Sequence, residues 1–126
     1  MAMNTDTHYV VGIDLGTTNC ALSFVDMTAD VSEREVQVFA IPQLVAPGEV
    51  AELTALPSFL YLPEPHEYTP ETLQLPWHET SPDYAVGAFA RDLAAKTPGK
   101  VVGSAKSWLC VDGLDRRADV LPYDRK

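Results

Sequence analysis

Tyr9-Val10-Val11-Gly12-Ile13-Asp14-Leu15-Gly16-Thr17-Thr18-Asn19-Cys20-Ala21-Leu22-Ser23-Phe24-Val25-Asp26 consists of two apolar runs on either side of a Gly-Thr-Thr-Asn turn. β-branched and aromatic residues fit the pleated surface of a sheet, and Gly, Thr and Asn supply turn chemistry. The stretch therefore predicts two strands joined by a short turn. Met27-Thr28-Ala29-Asp30 closes the second run. Val36-Gln37-Val38-Phe39-Ala40-Ile41 follows as a third strand, with Val36, Val38 and Ala40 on one face and Phe39 and Ile41 on the other. Three such strands in succession predict an antiparallel meander.

Further along, Ser58-Phe59-Leu60-Tyr61-Leu62 between Pro57 and Pro63 reads as another short strand. Helix chemistry begins only after Gly87. There Phe89 and Leu93 sit at i, i+4 with Arg91, Asp92 and Lys96 outside, and Thr97-Pro98-Gly99 stops the helix. Val101 to Leu109 reads as a short second helix or a turn. The expected fold class is α+β.

Between these elements the composition shifts. Eight of the ten prolines (Pro42, Pro47, Pro57, Pro63, Pro65, Pro70, Pro76, Pro82) fall in the middle of the chain. Each fixes its own φ and pushes its predecessor towards an extended shape, so roughly 63–83 is expected to be an extended loop and not a helix. From Glu35 to Ala90 there is no Lys or Arg, while Glu35, Glu49, Glu52, Glu64, Glu67, Glu71, Glu79 and Asp83 carry negative charge. The basic residues gather later, at Arg91, Lys96, Lys100, Lys106, Arg116, Arg117, Arg125 and Lys126.

Over 126 residues the net charge is −9, with 46% hydrophobic and 21% charged residues. That is ordinary for a globular chain of about one domain. Acidity of this kind argues against nonspecific nucleic-acid or anionic-membrane binding, which needs clustered Lys and Arg. No apolar run approaches the roughly 20 residues of a membrane span. Met1-Ala2-Met3-Asn4-Thr5-Asp6 has neither a basic patch nor an apolar stretch, and does not read as a signal peptide. Cys20 and Cys110 form no Cys-x-x-Cys and no zinc-ligand spacing, so free thiols in a reducing cytoplasmic compartment are expected.

Ile13-Asp14-Leu15-Gly16-Thr17-Thr18-Asn19 is where chemistry concentrates. Gly lets the backbone approach phosphate oxygens, successive N–H groups in a tight turn make an anion-binding concavity, and threonine hydroxyls add donors. A carboxylate at the end of a buried strand, as the first apolar run is expected to be, suits a hydrated magnesium ion, which keeps most of its waters. The same residues also read as a plain hairpin turn with Asp14 as its polar lead-in, and spacing alone does not separate the two. The chain has no Gly-x-Gly-x-x-Gly and no Gly-x-x-x-x-Gly-Lys. His66-Glu67 and His78-Glu79 are metal-ligating types, but on an acidic loop they read as solvated surface.

The motif resembles, residue for residue, the first phosphate motif of the DnaK-type heat shock protein 70 chaperones, which belong to the actin-like ATPase superfold. Leu56-Pro57-Ser58-Phe59-Leu60 resembles that family's Thr-Pro-Ser strand. Val86-Gly87-Ala88-Phe89-Ala90-Arg91 and Ala105-Lys106-Ser107-Trp108-Leu109 resemble its Val-Gly-x-x-Ala helix and the Ala-Lys-Arg-Leu segment beyond it. Together the matches cover about 10–26, 56–62 and 86–110, in the family's order.

This resemblance implies a partial actin-like, ribonuclease-H-like ATPase lobe: an antiparallel meander bearing a phosphate-binding turn and one or two helices. It implies that Gly16, Thr17, Thr18 and Asn19 hold the β- and γ-phosphates of ATP or ADP, and that Asp14 holds Mg2+ through water. Lys106 would be the catalytic lysine that meets the γ-phosphate. In the parent protein, ATP hydrolysis would drive the opening and closing of a chaperone acting on client polypeptides with co-chaperones. Cys20 stands where the main family line has Ser, Ser107 where it has Arg and Trp108 where it has Leu, and the 64–84 stretch is longer and richer in proline. The branch is thus divergent.

The family's second phosphate loop, adenosine pocket and peptide-binding domain fall beyond 126 residues. Residues 1–126, ending at Asp124-Arg125-Lys126, are therefore expected to be an N-terminal fragment with half an active site. Such a fragment would be inactive alone and prone to self-association. Two other readings stay open: a carbohydrate kinase of the same superfold, and a non-enzymatic acidic β-domain that binds a partner.

Overall fold

The computed structural model describes residues 8–115, 117–118 and 120–121. Met1–Asp6, Arg116 and the terminal Asp124-Arg125-Lys126 lie outside them. The described chain is mixed α+β, with antiparallel strand pairing and two short helices.

Strand β1 (Tyr9–Leu15) pairs antiparallel with β2 (Asn19–Asp26) in continuous register from Tyr9↔Asp26 to Leu15↔Cys20. The other edge of β2 carries β3 (Gln37–Val38) against Ser23 and Phe24, and β6 (Leu56–Pro57) against Asn19 and Cys20. The expected meander is there, but its third strand is shorter than the sequence suggests. The Phe39 amide still donates to Leu22 O at 2.9 Å. The chain then leaves the sheet, and Ile41 opens a second sheet.

That second sheet is a hairpin, β4 (Ile41–Ala46) and β5 (Glu49–Leu53), turning at Pro47-Gly48 with a register shift between Leu44 and Ala46. Pro42 is tolerated because, among the described residues, β4 pairs only with β5 and leaves its other edge open. A third sheet has the order β8-β7-β9: β7 (Phe59–Tyr61) lies between β8 (Ala85–Val86) and β9 (Val101–Gly103). Here 101–109 differs from expectation, since it opens with strand β9 and only then enters helix α2 (Ala105–Trp108).

Helix α1 (Ala88–Ala94) packs on β4, β7, β8 and β9. Phe89 faces inward, and Leu93 packs against the core one turn later. Arg91 and Asp92 stay outside, as the i, i+4 spacing implies. The helix ends before Thr97-Pro98-Gly99. Both the Thr97 amide and its hydroxyl donate to Leu93 O, at 2.8 and 3.1 Å, and a 3-10 turn follows at Pro98–Lys100.

The core consists of Leu44, Tyr61, Leu73, Leu75, Ala85, Phe89, Ala90 and Val101. Leu73 and Leu75 come from the proline-rich stretch, which carries a 3-10 turn at Pro70–Leu73 and folds back onto the core instead of standing clear. Tyr61, Tyr68 and Phe89 meet edge to face, with centroids 5.9–6.2 Å apart. Gln43 is 1% exposed and joins three segments: its Nε2 donates to Ala55 O, and its Oε1 accepts from the Ala88 amide, both at 2.9 Å. Gly87, at φ 90, starts α1 against it. A Cβ there would stand 2.6 Å from Gln43 Oε1 and 2.7 Å from Leu56 Cδ1, so only glycine fits.

The first sheet does not share this core. Tyr9, Val10, Val11, Ile13 and Leu15 are 51–67% exposed. The strand that leads into Asp14 is therefore uncovered, contrary to the buried strand expected there. The reason is topological: α1 and the proline-rich segment pack on the β4, β7, β8 and β9 side. Among the described residues, no helix is long and apolar enough to cross a membrane.

Candidate functional site

The β1–β2 turn is folded tightly on itself. A Cβ on Gly16 would collide with Asn19 O, a backbone atom with no freedom to move aside, so the turn depends on glycine at this position. Two contacts from Ser58 pin it from outside. The Ser58 amide donates to Thr18 O at 2.9 Å, and the Ser58 hydroxyl donates to Gly16 O at 2.8 Å. With its proton so committed, Ser58 Oγ faces Cys20 Sγ at 3.6 Å as the acceptor of a weak S–H bond.

Lys106 arrives from the far end of the chain. Ser104, in the left-handed region at φ 52 and ψ 33, turns the backbone out of β9 and into α2. Two residues on, Lys106 Nζ donates to Leu15 O at 2.7 Å across a sequence separation of 91 residues. Gly16, Thr17, Cys20, Ser58 and Lys106 thereby line one cleft of about 330 Å³, together with the apolar Leu56, Pro57, Phe59, Leu60, Val86 and Val102.

Thr18 and Asn19 belong to the turn but not to the lining of this cleft: Thr18 O is held by Ser58, and Asn19 pairs with Pro57. Asp14 lies elsewhere. Asp14 borders a separate depression with Gly12, Ala21, Ser23 and Val38. Strand β1 runs one residue past it.

The donor set limits what a metal ion would find here. Among the described residues, no group of three or more His, Cys, Asp and Glu side chains is placed to hold an ion. His66-Glu67 and His78-Glu79 do not converge: Glu67 faces Tyr61 and Lys100, while His78 Nδ1 accepts from the Leu75 amide at 3.1 Å. An isolated carboxylate such as Asp14 fits a water-relayed magnesium and not inner-sphere chelation.

Sequence reasoning passed over Ser58 and Cys20 as parts of this cleft. The signal for Ser58 was its place in the Leu56-Pro57-Ser58 segment. Nothing in its local pattern tells that its hydroxyl closes on the turn 42 residues earlier. Cys20 and Cys110 are free thiols, the first partly buried and the second exposed. No protein-family model matches the chain, and comparisons with curated proteins and with solved structures likewise return no match.

Proposed function

We propose that this chain is the N-terminal part of a chaperone ATPase of the heat shock protein 70 type, within the actin-like superfold. The resemblance gives Gly16, Thr17, Thr18 and Asn19 the β- and γ-phosphates, Lys106 the γ-phosphate and Asp14 a water-relayed magnesium ion. Of these, Gly16, Thr17 and Lys106 line one cleft, while Thr18 and Asn19 lie in the turn outside its lining and Asp14 borders a separate depression. The observation that supports this most is the contact between Lys106 Nζ and Leu15 O beside Gly16. An ammonium has three protons, and this bond uses one, which leaves donors to face an anion in the cleft. Phosphoryl transfer is chiefly positioning and charge neutralisation, so a lysine at the mouth of a glycine turn is suited to the task. Magnesium, when bound with the nucleotide, neutralises phosphate charge. The chain's own work is to hold the turn, through Ser58 and the closeness of Gly16 to Asn19, and to keep Lys106 beside it.

The engagement of Ser58 and Lys106 at one turn favours the chaperone reading over a carbohydrate kinase, whose resemblance rests on the first motif alone. A concave cleft lies beside Gly16, which a partner-binding module does not require, although most of its lining, Leu56, Pro57, Phe59, Leu60, Val86 and Val102, is apolar. Client polypeptides and co-chaperones would be partners of the parent protein in the cytoplasm.

Calorimetric titration with magnesium-ATP tests the proposal. Few contacts must offset the lost freedom of the ligand, so binding of roughly millimolar strength or weaker is expected, reduced a further tenfold or so by Lys106→Ala. A micromolar dissociation constant that Lys106→Ala leaves unchanged would overturn the assignment.

A further inference from the structure

The proline-rich segment has no part in the nucleotide reading, yet it shapes two adjoining concavities of about 540 and 560 Å³ that share Ser81, Pro82 and Asp83. Glu64 and Tyr68 border the first, and Trp77, Glu79 and Tyr84 border the second. Trp77 is 55% exposed and Tyr84 41%, a large apolar surface to leave in water on a segment that elsewhere buries its leucines in the core. The rings are also held in place. Trp77, His78 and Tyr84 stand edge to face, with successive centroids 6.0 and 6.5 Å apart, so a ligand laid over them orders little that is not already ordered.

Charge selects the occupant. From Glu35 to Ala90 the chain has no Lys or Arg. Lys100, which reaches this region from outside it, is committed to Glu67 at 3.0 Å and Glu64 at 3.8 Å. Glu79 and Asp83 flank the exposed rings, and both are exposed themselves. Aromatic faces attract cations through their quadrupole, and Trp is the strongest of them.

The geometry points to a docking groove for a basic peptide segment, with Arg or Lys side chains over Trp77 and Tyr84 and their charges met by Glu79 and Asp83. This does not depend on the nucleotide assignment. Trp and Tyr are also the residue types that dominate binding energy at protein interfaces.

Fluorescence anisotropy of a dye-labelled hexa-arginine peptide, titrated with the whole chain, tests it. Trp77→Ala should weaken binding about tenfold, as should the Glu79→Gln/Asp83→Asn double variant. A Glu35→Gln/Glu52→Gln double variant removes the same charge from exposed sites outside the groove and should weaken binding less than twofold. Equal losses in the two double variants would reduce the effect to general attraction by an acidic chain and overturn the proposal. So would an unchanged Trp77→Ala, or a hexa-glutamate peptide that binds as well as hexa-arginine.

Discussion

At the scale of single residues, Glu67 shows how one side chain ties the proline-rich segment down. Its carboxylate accepts from the Glu64 amide at 2.8 Å, from the buried Tyr61 hydroxyl at 2.7 Å and from Lys100 at 3.0 Å. Those donors, the Glu64 amide foremost, hold its pKa at about 2, below the usual 4.5. Burial, reinforced by the bond to Glu67, pushes the Tyr61 hydroxyl the other way, above its ordinary range. For a carboxyl lowered in the folded state, the stabilisation is complete above the unfolded pKa of 4.5 and is lost as pH falls through about 2. Glu67→Gln should therefore cost stability at pH 7, with the deficit vanishing between pH 4.5 and 2. Solvent screening at this exposed site keeps the loss to about 1 kcal/mol. Urea unfolding of both proteins at pH 7 and pH 2.5 checks this, and a deficit of equal size at both pH values would contradict it. The motif residues around Gly16 were legible because Asp-x-Gly-Thr-Thr is a local pattern. Glu67 was not, because what makes it matter is a tyrosine in a neighbouring strand and a lysine 33 positions later.

Among the secondary elements, Gln43 binds a hairpin, a turn and a helix together, and its position inside β4 gave no warning of that. A polar side chain 1% exposed is tolerable only because both ends are paired. Gln43→Leu keeps much of the volume but strands the buried Ala88 amide and takes the donor from the Ala55 carbonyl. Stability should fall by about 2–4 kcal/mol, read from the midpoint of urea unfolding. A loss below about 0.5 kcal/mol would mean that water or a neighbour replaces the amide. The β1–β2 hairpin and α1 were foreseeable from alternation, turn residues and i, i+4 spacing. The β4–β5 hairpin lies outside the strands read from the sequence, although Pro47-Gly48 is itself a turn signal. Strand β9 was missed because Val101-Val102-Gly103 is too short to show a period. Its strand character comes from pairing with Phe59–Tyr61, a contact no local window contains. Leu73 and Leu75 enter the core for the same reason: composition describes how a segment is solvated on average, not which of its side chains find a neighbour.

Across the whole molecule, the burial is lopsided. One side has a packed core beneath α1, and the other presents the first sheet with a β1 edge that is unpaired among the described residues and with Tyr9, Val11, Ile13 and Leu15 more than half exposed. Exposed edges and apolar sheet faces pair with other chains. The net charge of −9 opposes association, but salt screens it beyond about 8–10 Å. Light scattering over a concentration series should show a mass that rises with concentration at ordinary salt, and a monomer mass up to millimolar chain would contradict this. The packed side also carries Lys106 to the turn, which is the geometry on which the account rests. Its most direct test is a backbone amide NMR titration with magnesium-ATP. Shifts that saturate in the millimolar range at Gly16, Thr17, Thr18, Asn19 and Lys106, and that disappear in Lys106→Ala, are the predicted result. Shifts confined to other parts of the chain, or none at these five amides, would contradict a phosphate site at this turn.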